Sequence, residues 1–494
     1  MWTKGQEDAL KAAKTGHNLC IFGKSGCGKS TIIKEINKTL TQSGRVCKIV
    51  CPSGVACKVY DELAATVHSF YGLQTAELPA PLVMQQSLQR NDVVNQIQSV
   101  DVLVWDEISM SSLRIFHIVD LLHQKVRNNS LPFGGIQVIL GGDFCQLKPI
   151  QSLLDPGDPI YKSVLLGTVF PHRIVLEKIM RQSEFEGDFK KALDSLRMGV
   201  CDVDTEAYLC GLSRRCVDIG DNVPPPIHIF FKKLPVEVHN SYMLSCLSGE
   251  MLKYESIDTG RTGLLKNTVP KVLMLKRGCK VMLLFNISKS LTNGTLGTFI
   301  DADQTDSKNE SLLIKFPNVG VVSIPRKTWY AYRKDGQVQA SRTQFPLSLS
   351  YAITVHKAQS ATLESAVVHC SQEFDAGQTY VALSRVRSEE RLQVIGFQKR
   401  FLLKQPAHIK QIHSAQHGDP VSSFTCCRNK VLESTNCELD REEDPSLIND
   451  ENSIQVDEDL LNHEELILKY FASNQGVKQN FNQILQHMTN AEED

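Results

Sequence analysis

The apolar residues of this chain fall first into short unbroken runs. Residues 18–22, 102–105 and 136–140 are apolar almost throughout. Such runs predict strands buried on both faces, as in a parallel sheet covered by helices. After the first run, Ile32, Ile33 and Ile36 recur at helical spacing and predict a helix. Residues 1–184 are therefore expected to form one α/β domain, with a small insertion over the Gln- and Asn-rich stretch 73–98. A second α/β domain is expected over 185–296 and 347–405, opening with a helix-like run at 189–193 and including strands at 227–231 and 281–284. Between its two parts, residues 297–346 carry β-branched runs broken by Asp301-Ala302-Asp303 and Pro317-Asn318-Val319-Gly320, which predicts a small inserted barrel. Residues 419–494 lose this pattern. Their acidic stretch 433–459 is expected to be disordered. Apolar residues at 461, 466, 467, 470 and 471, then at 481, 484, 485 and 488, allow two amphipathic helices, either transient or docked on the body or a protein partner.

The ends of the apolar runs carry the candidate chemistry. The first is followed by Gly23-Lys24-Ser25-Gly26-Cys27-Gly28-Lys29-Ser30 and then by the helix beginning at Thr31. Strand, G-x-x-x-x-G-K-[ST] and helix together form a phosphate-binding loop. Its glycines let backbone N–H groups turn toward phosphate oxygens, and the helix N-terminus adds partial positive charge. Lys29 is expected to reach the β/γ-phosphates and Ser30 to ligate Mg²⁺. The second run ends in Asp106-Glu107, candidates for holding Mg²⁺ and for activating the attacking water. The third ends in Gly141-Gly142-Asp143-Phe144-Cys145-Gln146, where Gln146 either senses the γ-phosphate or is an ordinary polar loop residue. These motifs imply a Mg²⁺-dependent nucleoside triphosphatase without showing what the hydrolysis drives.

Charge narrows the choice of partner. The formal net charge is −1, but residues 419–494 hold 17 acidic and 5 basic residues, leaving −12 on the tail and +11 on the body. A basic body suits a polyanion. The hydrophobic content of 42% and charged content of 22% exclude a fibrous or wholly disordered chain, and no apolar run approaches the ~20 residues of a membrane span. The 15 cysteines form no C-x-x-C pair and no regular framework, which points to a reducing compartment. Cys20, Cys47, Cys51 and Cys370 read as core residues. The 14 histidines do not cluster with the cysteines along the chain, so no zinc is expected. The N-terminus lacks an apolar signal region, and Glu7 and Asp8 speak against a transit peptide.

In order and spacing, these segments resemble the Pif-type (petite integration frequency) DNA helicases of superfamily 1B, from Gln6 to about Phe397. The resemblance rests on Gln6, the phosphate loop, Pro52-Ser53-Gly54-Val55-Ala56, Thr66-Val67-His68-Ser69-Phe70, Asp106-Glu107-Ile108-Ser109-Met110, Pro132-Phe133-Gly134-Gly135 and Gly142 to Leu147. It continues through Met180-Arg181-Gln182, Val281-Met282-Leu283, Asn293 to Gly297, Tyr351 to Ser360 and Val381 to Val386. It implies two RecA-like motor domains with an SH3-like insertion in the second, and ATP-driven 5′→3′ movement on single-stranded DNA. By resemblance Gln6 reads adenine, while Gly23, Lys24, Ser25, Gly26, Cys27, Gly28, Lys29, Ser30 and Thr31 hold the nucleotide. Arg181 and Arg385 face the triphosphate, although either could be a surface ion pair. Pro52, Ser53, Gly54, His68, Ser69, Thr354, His356 and Lys357 contact DNA, with His68 and His356 open to a purely structural reading. Tyr351 and Ser360 stand where the family usually has Trp and Gly. The resemblance further implies a monomer acting on forked or structured DNA in the nucleus or mitochondrion, with roles in replication, repair, recombination and telomere maintenance. Two other readings remain: the helicase module of a mobile-element replication protein, and a DNA-stimulated ATPase that remodels protein complexes without unwinding.

The opposed charges give the tail a testable role as an intramolecular competitor for the basic track. Deleting residues 419–494 should tighten single-strand binding at low salt, with a smaller difference at high salt. Unchanged affinity in a salt titration would leave the tail as a spacer or tether.

Overall fold

The computed structural model describes residues 2–73, 78–152, 154–178, 187–214, 216, 225–261, 265, 269–288, 290–303, 310–317, 319–332, 337–414 and 427. The acidic stretch and both amphipathic segments of the tail lie outside the described residues.

The early apolar runs form the middle of a six-stranded sheet. Its strands are β1 (Leu19–Gly23), β2 (Cys47–Cys51), β3 (Ala64–Thr66), β4 (Val102–Trp105), β5 (Gln137–Gly142) and β6 (His172–Leu176), in the order β3-β2-β4-β5-β1-β6. Every pairing is parallel. Successive side chains of a strand point to opposite faces, so an unbroken apolar run feeds two cores. Leu19, Ile21, Val102, Val104 and Ile139 meet Ile32, Ile33 and Ile36 of the helix Lys29–Gln42. Cys20, Phe22, Leu103, Trp105, Val138 and Leu140 meet Phe116 and Val119 of the helix Leu113–Arg127 on the other face. The polar stretch 73–98 contributes helices Ala80–Leu88 and Asn91–Ser99, which insert Val83, Met84, Val93 and Ile97 into this second core.

The chain then forms β7 (Ile227–Phe230) and leaves for an antiparallel region. That region contains β8 (Leu252–Glu255), β9 (Ile257–Gly260), β10 (Val272–Leu275), β11 (Lys280–Leu283), β12 (Leu296–Asp303), β13 (Ser311–Phe316), β14 (Gly320–Pro325), β15 (Lys327–Tyr332), β16 (Val338–Gln344) and β17 (Leu347–Leu349). The chain returns as β18 (Ala352–Thr354), β19 (Ala366–His369) and β20 (Leu392–Ile395), giving a second parallel sheet of order β18-β7-β19-β20. Helix Gly187–Arg197 covers it through Phe189, Leu193 and Leu196.

One expectation is corrected here. Residues 281–284 read as a strand of the second parallel sheet, but β11 pairs antiparallel with β12 and β17. Val281 and Leu283 are buried with Phe299, Leu312 and Ile314. A short apolar run has the same appearance in either kind of sheet, and here it pairs with β12, which follows it closely, and with β17, far downstream. Strands β8 to β10 also place antiparallel structure upstream of residue 297.

After β20, helix Ala407–Ser414 returns to the first domain, where Ile409 is buried in its core. Cys20 and Cys51 are buried, Cys47 and Cys370 are half-buried, and all four are free thiols. Among the described residues no helix is long and apolar enough to cross a membrane.

Ser360 follows Gln359 at φ 65°, in the left-handed region that favours glycine. Its Oγ is buried without a hydrogen-bond partner. Ser360→Gly relieves both costs and is expected to stabilise the protein by about 1 kcal/mol. The urea midpoint should rise with an unchanged slope; a lower midpoint would show that the turn is not strained.

Candidate active site

In a parallel sheet the carboxyl ends of the strands share one edge, where ligands bind. The loop after β1, the acids after β4 and the Gly142–Gln146 turn after β5 therefore meet. Gly28 caps the helix Lys29–Gln42 at φ 83°, a conformation that keeps the loop turned toward the helix N-terminus. Lys29 is buried, and its Nζ donates to the carbonyls of Gly23 (2.7 Å) and Lys24 (3.1 Å). Burial pulls its pKa down, but the Cys27 thiol and the carboxylates of Glu107, Asp143 and Asp106 outweigh this and raise it. The ammonium is therefore held charged. Cys27 is buried beneath the loop, while Thr31 is exposed on the helix.

Three side-chain oxygens near this loop are shielded from solvent and lack a hydrogen-bond partner among the described residues: Asp106 Oδ1, Glu107 Oε2 and Gln146 Oε1. Asp106 Oδ2 accepts from the buried Tyr60 hydroxyl, which also lies within hydrogen-bonding reach of Ser30. An unpartnered carboxylate oxygen beside a serine hydroxyl suits a hard cation such as Mg²⁺. Glu107 sits at φ 55°, a strained conformation for a non-glycine residue. Its pKa is raised, first by burial and then by the neighbouring Asp106, against the pull of Lys29 and Arg385. Raised basicity is what a water-activating carboxylate needs.

The second domain closes the loop from the opposite side. Arg385, only 2% exposed, follows the helix Gln378–Leu383. Its Nη2 donates to Ser25 Oγ at 3.0 Å and to Ser384 Oγ at 2.7 Å. The Ser25 backbone N–H donates to the Tyr380 hydroxyl at 2.8 Å, and that hydroxyl donates to Asp143 Oδ2 at 3.5 Å. Asp143 is in turn gripped by Arg197, through Nε at 3.0 Å and Nη2 at 2.7 Å. Lys24 adds an ion pair to Asp194 at 2.7 Å. Arg181 lies outside the described residues.

The remaining predicted positions divide by exposure. Gln6 is buried, and its Oε1 accepts from Thr3 N (3.0 Å) and Thr3 Oγ1 (3.2 Å), a capping box that it would share with an adenine. Pro52 and Ser53 follow β2, with Ser53 capping the short helix Gly54–Cys57. A Cβ on Gly54 would lie 2.8 Å from Thr292 Cβ, so this segment is seated against the antiparallel region. His68, Ser69 and Lys357 are exposed; Thr354 and His356 are half-buried. The His356 ring stacks on Phe374 at 6.0 Å, and Phe374 is 55% exposed.

Sequence reasoning missed Tyr60, Tyr380 and Arg197. Tyr380 adjoins a quoted motif and could have been suspected from that; Tyr60 and Arg197 carry no local signal.

A family model described as "PIF1-like helicase" matches residues 2–203, and one described as "DNA helicase Pif1, 2B domain" matches residues 264–301. The ATP-dependent DNA helicase Pif1 of Bdellovibrio bacteriovorus is 30% identical over 409 residues, covering 81% of this chain and 89% of that protein. The ATP-dependent DNA helicase PIF1 of Emericella nidulans is 29% identical over 474 residues, covering 83% of this chain and 63% of the relative. The chain thus spans about three-fifths of the length of this relative and of the Danio rerio PIF1, of which 61% is covered. Among solved structures, Pif1 helicase from Candida albicans superposes with a TM-score of 0.73 at 29% identity, covering 84% of this chain and 98% of that one. Bacteroides Pif1 bound to ssDNA gives 0.70 at 27% identity, covering 83% and 96%. The two parallel sheets are the RecA-like pair expected from the sequence. A phosphate loop on one sheet, closed by an arginine from the other, occurs here in a chain that belongs to the PIF1-like helicase family.

Proposed function

We propose that the chain is an ATP-dependent 5′→3′ DNA helicase that translocates on single-stranded DNA. The observation that carries this reading is the contact of Arg385 and Tyr380, from the second domain, with Ser25 of the phosphate loop on the first. A triphosphate in that loop touches both domains, so its binding and loss change how the domains meet. Backbone N–H groups of the loop and Lys29 bind the phosphates, Gln6 faces the base, and Ser30 and Asp106 would hold Mg²⁺, which when bound would supply charge neutralisation to the phosphates. Glu107 takes the proton of the attacking water, Gln146 orients that water, and Arg385 stabilises charge on the transferred group.

Single-stranded DNA runs over Ser53, Gly54, His68 and Ser69 of the first domain and Thr354, His356 and Lys357 of the second. The exposed His68, Ser69 and Lys357, with the half-buried Thr354 and His356, meet its backbone, and the face of Phe374 turned away from His356 offers a platform for a base. None of these residues forms an array of base-edge contacts, which suits a motor that moves over every sequence. Support also comes from the Bacteroides relative solved with ADP-AlF3 and ssDNA.

Purified protein is expected to separate a forked duplex from a 5′ tail in an ATP-dependent manner, with Glu107→Gln inactive. Separation only from a 3′ tail contradicts the direction, and DNA-stimulated ATP hydrolysis without strand separation contradicts the helicase assignment. Tyr60→Phe removes the hydroxyl that holds Asp106. It should weaken Mg²⁺-dependent nucleotide binding about tenfold while leaving binding in chelator unchanged. Equal loss with and without Mg²⁺, read by a fluorescent nucleotide titration, would instead assign Tyr60 to the shape of the loop.

A further inference from the structure

The other end of the first sheet carries a cluster that the motor does not use. His17 lies in the turn between the helix Lys4–Lys14 and β1, and His172 opens β6. Because β6 pairs with β1, with Leu19 opposite His172, the two rings are brought to 4.6 Å at an angle of 64°. Cys427 is seated against them and is only 1% exposed. One ligand atom from each of His17, His172 and Cys427 lies within 4.8 Å of the other two. These residues are far apart in the chain, so no local spacing of histidine and cysteine points to zinc.

We propose that His17, His172 and Cys427 form a Zn²⁺ site that fastens the C-terminal segment to the first motor domain. Two imidazoles and a thiolate are a borderline-soft donor set of the kind zinc takes. With bonds of about 2.0–2.3 Å, tetrahedral geometry places the ligand atoms about 3.3–3.8 Å apart. The cluster therefore needs only a small contraction. A water completes the fourth position.

The Asn18 backbone N–H donates to Cys427 Sγ at 3.0 Å, and the Cys427 thiol donates to the Asn18 carbonyl at 3.8 Å, so the sulfur is held in place by one peptide unit of the first domain. Asn18 is itself buried, and its Oδ1 accepts from Val138 N at 2.7 Å, so the donor is fixed to the sheet. On binding, Zn²⁺ displaces the Cys427 thiol proton, which passes to solvent, and a Zn–S bond forms. The second candidate cluster, Asp143 with Cys145 and His413, is less suitable because Asp143 is already committed to Arg197.

The position gives the site a mechanical role. It lies at the amino ends of β1 and β6, and the phosphate loop lies at the carboxyl end of β1, a strand of five residues or about 17 Å. Helix Ala407–Ser414 already returns to the first domain, and the ion would add a second anchor downstream.

The 494-residue protein, purified without an affinity tag and in reductant, is expected to carry about one zinc ion per chain by elemental analysis. Cobalt exchanged into the wild type should show a thiolate-to-cobalt charge-transfer band. Cys427→Ser should abolish both zinc and band, and His17→Ala should reduce zinc at least tenfold, whereas Cys210→Ser, at an exposed thiol, should keep full metal. Chelation should increase hydrogen exchange in the segment around residue 427. Wild-type protein that takes up neither zinc nor cobalt after reconstitution overturns the proposal, as does a Cys427→Ser variant that keeps the charge-transfer band. The cobalt spectrum of the wild type stands even if a variant folds poorly, and none of these readouts depends on helicase activity.

Discussion

The buried ion pair between Asp143 and Arg197 is the constraint on which the junction of the two motor domains depends. Asp143 directly follows β5 and has no solvent exposure. Burial alone would push its carboxyl up, but the Arg197 guanidinium, forked onto both oxygens, holds it well below the usual carboxylate range. Removing one partner of such a pair typically costs about 3–5 kcal/mol, because the other charge is left buried and alone. Arg197 belongs to a helix that covers the second sheet, so the pair joins the turn after β5 of the first domain to the second domain's packing.

From this pair the contacts lead outward to the phosphate loop. Asp143 receives the Tyr380 hydroxyl, Tyr380 receives the Ser25 N–H, and Arg385 holds the Ser25 side chain. Ser25 lies where loop N–H groups turn toward phosphate. A bound triphosphate competes for these same donors, so it must change the contacts that hold the domains together. A ligand shifts a conformational balance only through different interactions with its two states. Here that difference is built into one loop residue. Gln359, whose Nε2 reaches Ser109 Oγ at 3.3 Å, makes a parallel link beside the segment that carries Thr354, His356 and Lys357.

Much of this arrangement was legible in the chain. The strands at 18–22, 102–105 and 136–140 could be read because burial on both faces demands unbroken apolar runs. Lys29, Ser30, Asp106 and Glu107 stood out as candidates because phosphate and cation chemistry restricts both residue type and spacing, whereas the residues alone left Gln146 open between a sensing role and an ordinary loop position. The strand at 281–284 was misplaced because an apolar run does not state which sheet receives it. Tyr60 was invisible because it lies in the short helix Lys58–Leu63 after β2 and meets Asp106, 46 residues away at the end of β4. The Arg197 and Tyr380 contacts span 54 and 355 residues, and no local pattern encodes a partner at such distance. The same holds for His17, His172 and Cys427, which converge only after β1 and β6 pair. Ser360 is the opposite case: its departure from glycine was visible in the sequence, and the backbone does adopt the conformation that glycine would ease.

The dependence of catalysis on contact between the domains is tested most directly by single-turnover ATP hydrolysis in Arg385→Ala, with nucleotide affinity measured alongside. An arginine brought to the transferred phosphoryl group is worth roughly 10³ or more in rate. Hydrolysis on single-stranded DNA should therefore fall by about 10³ while nucleotide binding changes only a few-fold. Hydrolysis remaining within about tenfold of the unaltered protein would show that Arg385 only braces Ser25, and that the second domain does not take part in the chemistry.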